Sequence, residues 1–181
     1  MRTLIIALLV IAGTKVEADN KDVLEEAIDK VSANVVFMRH ALAPGFGDPD
    51  NFSLSDCAKQ RNLDKEGRRQ ARIIGKAIQE SRVQFVAILS SEWCRCMETT
   101  ELLGLGQWST FSGLNSFFQD YADKNNTLSK LQLKLDKIEY GITLMITHQV
   151  VINAVTGLTV GSGELVAYNS VTRMKKVIRL D

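Results

Sequence analysis

Three short apolar runs, each bounded by polar sequence, most strongly limit what this chain can fold into. They are Val35–Met38, Val86–Leu89 and Thr143–Ile146. Continuous apolar runs of this length are typical of strands covered on both faces of a sheet. The segments between them carry apolar residues at helical spacing. Strands that alternate with helices predict a three-layer α/β fold, with a mainly parallel sheet and helices on both faces.

The remaining segments complete this pattern. The predicted helices are Asp19–Ser32, Asp64 to about Ser81, Glu92–Leu103, Leu114–Leu135 with a polar break near Asn125, and the segment from His148 to Gly157. Two closing strands are predicted at Leu165–Tyr168 and Val171–Ile178. The polar loop 43–62 carries both prolines, and loops of this length are commonly functional. We find no repeat or linker, so residues 19–181 predict a single domain.

Residues 1–18 are typical of a secretory signal. Arg2 precedes an apolar run from Leu4 to Ala12, and small or compact residues stand at Val16 and Ala18. As a helix, nine apolar residues span about 13 Å, far less than the ~30 Å hydrocarbon core of a bilayer. The pattern therefore predicts a cleaved signal peptide, no stable membrane anchor after cleavage, and a periplasmic or secreted protein. The alternative interpretation is a buried N-terminal strand.

The charge balance limits the classes of partner. The chain has 22 basic and 21 acidic residues, and loss of Arg2, Lys15 and Glu17 with the signal would leave 20 of each. There is no block of like charge. This argues against a nucleic-acid-binding protein held by a basic stripe.

Both histidines of the chain directly follow predicted buried strands. The first strand is followed by Arg39 and His40, the third by His148, and the second leads to Arg95. Because ligands bind outside the carboxyl ends of strands in such sheets, we expect these side chains to meet at one edge. Arginine matches phosphate oxygens, and a neutral imidazole can attack phosphorus. The sequence therefore predicts a site for a phosphoryl group.

Four short motifs over residues 35–157 make the interpretation more specific. They are Arg39-His40-Ala41, then Leu63 with Gly67 and Gln70-Ala71, then Ser90-Ser91 with Arg95 and Thr99, and finally Thr147-His148. In this order the chain resembles the histidine phosphatase superfamily, which contains cofactor-dependent phosphoglycerate mutases and many phosphomonoesterases.

The resemblance implies a phosphoglycerate mutase-like fold and a phosphatase that acts on a small phosphorylated substrate. It implies a phosphohistidine intermediate on His40, with neither a metal nor a cofactor. The positions that match the family's other phosphate contacts are Arg39, Arg95 and His148, with further substrate contacts at Arg61 and Asn62.

The sequence does not identify the proton donor. Many relatives have a glutamate in a Leu-x-Glu segment, where this chain has Leu114-Asn115-Ser116, and the acid-phosphatase branch has an aspartate where this chain has Gln149. The carboxylates expected near strand ends are Glu92, Asp120 and Glu164. A missing acid favours substrates with good leaving groups, because general acid catalysis typically supplies about 10²–10⁴-fold.

Two other functions stay open. A phosphate- or phosphoglycan-binding protein would keep the pocket without turnover, and the missing acid favours it. A phosphomutase is disfavoured, because mutases retain the phosphoryl group and in this family keep the glutamate.

Three cysteines bear on the compartment. No close ligand pair such as C-x-x-C occurs, so a metal site fits poorly. In an oxidising compartment, Cys57 would pair with Cys94 or Cys96 and attach the long loop to the helix of Arg95. Three free thiols are the alternative.

Overall fold

Six strands form one sheet in a computed structural model that describes residues 20–180. They are β1 (Val35–Arg39), β2 (Phe85–Ser90), β3 (Ser109–Thr110), β4 (Ile142–Thr147), β5 (Leu165–Tyr168) and β6 (Lys175–Ile178). The strand order is β3-β2-β4-β1-β5-β6. Strands β1 to β4 are parallel, whereas β5 runs antiparallel to both of its neighbours. The mainly parallel α/β fold is therefore confirmed, while the predicted signal peptide lies outside the described residues.

Within the described residues, five α-helices cover the two faces of this sheet. They are α1 (Asn20–Val31), α2 (Lys65–Glu80), α3 (Cys94–Leu103), α4 (Lys124–Leu135) and α5 (Gln149–Thr156). In β1, Val36 and Met38 pack in one core with α1, α2 and α3. Val35 and Phe37 pack in the other core with α4 and α5. Both faces of the central strands are thus buried, which explains their continuous apolar runs. Within the described residues, no helix is long and apolar enough to cross a membrane.

Helix α2 shows how the sequence positions the site. The Asp64 carboxylate accepts the backbone N–H of Gly67 at 2.7 Å and caps the helix. Gly67 lies against the backbone after β1, where a Cβ atom would come within 1.9 Å of the Leu42 carbonyl oxygen. A side chain at this position would push the helix away from the loop that follows His40.

Two predicted elements begin four or more residues later in the structure, which also has a short strand, β3, that the sequence does not predict. The helix predicted over 114–135 begins only at Lys124, because Gln119 and Asp120 both have φ of 59° and end the preceding 3-10 turn. The last strand begins at Lys175 rather than Val171, because the Asn169 side chain accepts two backbone N–H groups and closes a turn there. Strand β3 has two residues and no apolar signal.

A disulfide attaches the long loop between β1 and α2 to the start of α3. Cys57 is bonded to Cys94, with 5.7 Å between their Cα atoms. Cys96 is a buried free thiol. Of the two pairings that the sequence left open, the structure therefore has the first.

Candidate active site

The two histidines meet at the carboxyl edge of the sheet. His40 follows β1 and His148 follows β4, which pair in parallel with Arg39 opposite Thr147. The His40 backbone N–H donates to the Thr147 carbonyl oxygen at 3.0 Å. The ring centroids of the two histidines lie 5.4 Å apart, and both residues are buried. Parallel pairing of the two strands thus places both rings in one site.

The His40 ring is held in one tautomer. Its Nδ1 atom lies 2.7 Å from the Ala41 carbonyl oxygen, which can only accept. The proton is therefore on Nδ1, and Nε2 carries the free electron pair. Burial, and then the charge of Arg95, lowers the pKa of His40 well below its usual value. The ring is neutral at physiological pH, as a nucleophile requires.

Arg95 lies between the two histidines. Its Nε–H donates to Nε2 of His40 at 3.2 Å, and its Nη2 donates to Nδ1 of His148 at 3.4 Å. The same guanidinium forms a bidentate ion pair with Asp48, at 2.8 and 3.2 Å. The two side chains are only 3% and 5% exposed.

The side chain of Asp48 is a buried carboxylate that the sequence pattern does not reveal. It accepts the backbone N–H of Arg61 at 3.0 Å and the Trp93 indole N–H at 3.1 Å, in addition to Arg95. Burial raises its pKa, but the hydrogen bonds from Arg95 and Arg61 outweigh burial and hold the pKa below its ordinary value. Nothing in the pattern of the loop distinguishes Asp48 from its exposed neighbours.

His148 is oriented by a second chain of hydrogen bonds. The Ser91 hydroxyl donates to Asn115 Oδ1 at 3.1 Å and lies 2.9 Å from Nε2 of His148. The Ser91 oxygen therefore accepts from Nε2–H, and Nδ1 is left to accept from Arg95. Burial, and then Arg95, lowers the pKa of His148 well below its usual value. Asn115 thus orients this network through its hydrogen bond to Ser91.

Two further arginines border the site. Arg39 donates to the Val160 carbonyl oxygen at 2.8 Å and to Gln149 at 3.1 Å, while its Nε is buried and has no hydrogen-bond partner among residues 20–180. Arg61 donates to the carbonyl oxygen of Gly47 at 2.8 Å and to that of Ala43. Burial lowers the pKa of both guanidinium groups, with a smaller effect from Arg95.

These side chains line a cavity of about 400 Å³. Its charged and imidazole groups are Arg39, His40, Arg61, Arg95 and His148, and its larger apolar groups are Leu42, Pro44, Phe46, Phe118 and Val150. In the described part of the chain, none of the lining residues carries a carboxyl group. A cavity with converging polar groups and an apolar wall is typical of a small-ligand site.

Asn62 does not join this site. Its side-chain amide donates to the carbonyl oxygens of Cys57 at 2.6 Å and Gln60 at 3.0 Å, which closes the turn of the loop. We therefore leave Asn62 out of the proposed substrate contacts.

None of the three carboxylates considered as proton donors lines the cavity. Glu92 accepts from the Asn115 amide at 2.6 Å, and Glu164 pairs with Arg179. Asp120 is exposed. Within residues 20–180, no group of three or more His, Cys, Asp or Glu side chains is arranged to hold a metal ion.

The fold and the site define an α/β protein with an arginine-lined cavity built around two histidines. The family model described as histidine phosphatase superfamily (branch 1) matches residues 35–115. This segment contains His40, Arg61 and Arg95. The chain is therefore similar to this superfamily over 81 of its 181 residues, less than half of its length. No curated protein matches the chain in sequence.

Solved structures show the same fold at low identity. The protein histidine phosphatase SixA, complexed with tungstate, is 18% identical with a TM-score of 0.54, covering 79% of this chain and 92% of its own. A Thermus thermophilus protein, TTHB049, is 16% identical with a TM-score of 0.59, covering 81% and 99%. Mycobacterial glucosyl-3-phosphoglycerate phosphatase is 12% identical with a TM-score of 0.54, covering 82% and 97%.

Proposed function

We propose that the protein is a phosphomonoester hydrolase that works through a phosphohistidine intermediate on His40. The observation that carries this proposal is the His40 ring itself. It is neutral, its proton is fixed on Nδ1 by the Ala41 carbonyl oxygen, and it borders a cavity with three arginines. The superfamily match and the phosphatases among the structural neighbours support the same class of reaction.

The charges of the cavity favour a dianionic phosphoryl group. Guanidinium groups match phosphoryl oxygens and hold their charge before the reaction begins. The Nε–H of Arg39 is buried and finds no acceptor in the part of the chain that the structure describes, which is costly for a charged group. A phosphoryl oxygen of the substrate would supply the missing acceptor. Arg61 would contribute a further positive charge from the loop between β1 and α2.

The reaction has two displacement steps. In the first, the Nε2 electron pair of His40 forms the P–N bond while the P–O bond to the leaving group breaks, and that oxygen keeps the electron pair. In the second, water attacks phosphorus, the P–N bond breaks, and its electron pair returns to Nε2. The attacking water loses its proton to solvent, and inorganic phosphate leaves. No step requires a metal ion.

The lining of the cavity favours esters with good leaving groups. Both imidazoles are neutral, and in the described residues no carboxyl group borders the cavity to protonate a departing alkoxide. A phenolic oxygen leaves without such help far more readily than an alkyl oxygen. Small aryl phosphates are therefore the proposed substrate class for a first assay.

Binding without turnover is the second candidate function. One observation favours it: Arg95 donates to Nε2 of His40, so the electron pair needed for attack is already engaged. A protein that kept this arrangement with phosphate bound would bind phosphate but not hydrolyse esters.

We also propose that the protein works in the periplasm or outside the cell. Residues 1–18 have the pattern of a cleaved signal. The Cys57–Cys94 disulfide supports the proposal, because such bonds persist mainly in oxidising compartments.

Hydrolysis of 4-nitrophenyl phosphate tests the proposed function. The wild-type chain is expected to release 4-nitrophenol, and His40→Ala is expected to lose hydrolysis while still binding phosphate by calorimetry. Glu66→Gln is the control, because Glu66 pairs with Arg69 on the exposed side of α2 and does not line the cavity. Hydrolysis by His40→Ala at the wild-type rate contradicts the mechanism. A wild-type chain that binds phosphate but releases no 4-nitrophenol favours the binding function.

A further inference from the structure

Every N–H donor of Arg95 already has a partner inside the protein. A guanidinium has five such donors. The Nε–H donates to His40, and Nη1 donates to Asp48 at 2.8 Å and to the Arg61 carbonyl oxygen at 3.3 Å. Nη2 donates to Asp48 at 3.2 Å and to His148 at 3.4 Å. A phosphoryl group can therefore bind Arg95 only by displacing one of these acceptors.

The acceptor that most resembles a phosphoryl group is Asp48. Its two carboxylate oxygens meet two guanidinium nitrogens side by side, as two phosphoryl oxygens would. The carboxylate also has other donors, because the Arg61 backbone N–H and the Trp93 indole N–H remain bonded to it when Arg95 leaves. Asp48 can thus release Arg95 without becoming a buried charge with no hydrogen bond.

The same exchange bears on the nucleophile. The Nε–H of Arg95 donates a hydrogen bond to Nε2 of His40, with 3.2 Å between the two nitrogens. Attack on phosphorus needs the electron pair of Nε2 that accepts this hydrogen bond. As long as the Asp48 carboxylate holds both terminal nitrogens of Arg95, the guanidinium is fixed in this position.

We propose that Asp48 is a positioning residue that competes with the phosphoryl group of the substrate for Arg95, an inference that rests on the proposed function. When substrate binds, two phosphoryl oxygens take the place of the Asp48 carboxylate on Arg95. The guanidinium turns towards the cavity and uncovers Nε2 of His40. The affinity of the site for phosphomonoesters is therefore set by the difference in free energy between the Arg95–Asp48 ion pair and the Arg95–phosphoryl ion pair.

Asp48→Asn tests the competition. The substitution removes the charge and keeps the size of the side chain and an oxygen that accepts from Arg61 or Trp93. Asp56→Asn is the matched control, because Asp56 lies in the same loop but accepts from the Ala58 backbone N–H and pairs with Lys59. The measurements are the dissociation constant of inorganic phosphate by calorimetry and the kcat and KM for 4-nitrophenyl phosphate.

The competition predicts tighter binding in the variant. Asp48→Asn is expected to bind phosphate about tenfold more tightly and to lower KM by a similar factor, because a hydrogen bond to a charged group no longer has to be exchanged. Asp56→Asn is expected to stay within about twofold of the wild type. A phosphate dissociation constant that is unchanged or larger in Asp48→Asn overturns the proposal, because it gives Asp48 only a structural role.

A measurement on the wild-type chain covers the case in which the variant does not fold. The Nε–H signal of Arg95 in a ¹⁵N spectrum is expected to shift when phosphate is added, because its bond to His40 is lost. Phosphate binding that leaves this signal unchanged overturns the proposal. Failure of the proposed function can be distinguished from failure of this proposal. A wild-type chain that binds phosphate without hydrolysing the ester contradicts the proposed hydrolase activity. The phosphate dissociation constants of the wild type and of Asp48→Asn still decide the role of Asp48 in that case.

Discussion

Replacing Cys57 and Cys94 with serine removes the bond between the long loop and the start of α3. The two cysteines are 37 residues apart in the chain. In the chain-entropy account, a bond that closes a loop of this length stabilises the folded state by about 4 kcal/mol, by restricting the unfolded chain. In a domain of this size, 1 kcal/mol corresponds to a change in Tm of about 2–4 °C. We therefore expect the double variant to unfold about 8–16 °C below the wild type.

Thermal unfolding followed by circular dichroism measures this difference. Dithiothreitol is the matched control, because it should lower the Tm of the wild type to that of the double variant and leave the variant unchanged. Titration of the unreduced, denatured wild-type chain should find one free thiol, from Cys96. Midpoints within about 2 °C of each other, or three free thiols, would refute the reasoning.

The disulfide also bears on the site. Asp48 and Arg61 lie in the attached loop, and Arg95 directly follows Cys94 in α3. Loss of the disulfide should therefore allow these three side chains to move relative to one another. We expect KM for 4-nitrophenyl phosphate to rise more than kcat falls, because the nucleophile is held by β1 and not by the loop.

Three further predictions concern the charges and the compartment. Burial lowers the pKa of His40 and of His148, so below about pH 6.5 the unfolded chain binds more protons than the folded chain does. The free energy of unfolding should therefore fall by about 1.4 kcal/mol per pH unit for each histidine as the pH drops below this value. Denaturant unfolding that gives the same free energy from pH 7 to pH 5 contradicts this prediction. Arg95→Ala should lower the free energy of unfolding by about 3–5 kcal/mol, because it leaves the Asp48 carboxylate buried without its cation. Adding Asp48→Asn should restore part of this free energy in the same denaturant assay, and no restoration contradicts the ion-pair explanation. Mass spectrometry of the protein from its native host should find Asp19 at the N-terminus, whereas an intact Met1 excludes cleavage after Ala18.

The sheet and the convergence of the histidines followed from the sequence because each rests on local pattern. Apolar runs mark strands that are buried on both faces, and a polar residue directly after such a run must lie at the carboxyl edge. His40 and His148 needed no long-range information beyond parallel pairing of their strands. The order of the strands and the antiparallel β5 depend on packing among distant segments, which no local pattern records.

The contacts of the loop between β1 and α2 could not be predicted, because the loop has no repeating pattern of apolar and polar residues that would indicate which side chains are buried. Asp48 acquires its role from Arg95 and Trp93, which lie more than forty residues further along the chain. The choice between Cys94 and Cys96 had a similar cause. Because the two cysteines are separated by two positions on a helix, their side chains point in directions about 200° apart around the helix axis. Only the orientation of α3 decides which of them faces the loop.

Trapping the phosphoryl group on His40 tests the central claim most directly. Rapid acid-free quenching of the wild-type chain with ³²P-labelled aryl phosphate, followed by peptide mapping, should find a base-stable and acid-labile label. The account predicts this label on the peptide that contains His40, and none in His40→Ala. Hydrolysis that proceeds with no label on His40, or with the label on another residue, would contradict the phosphohistidine mechanism.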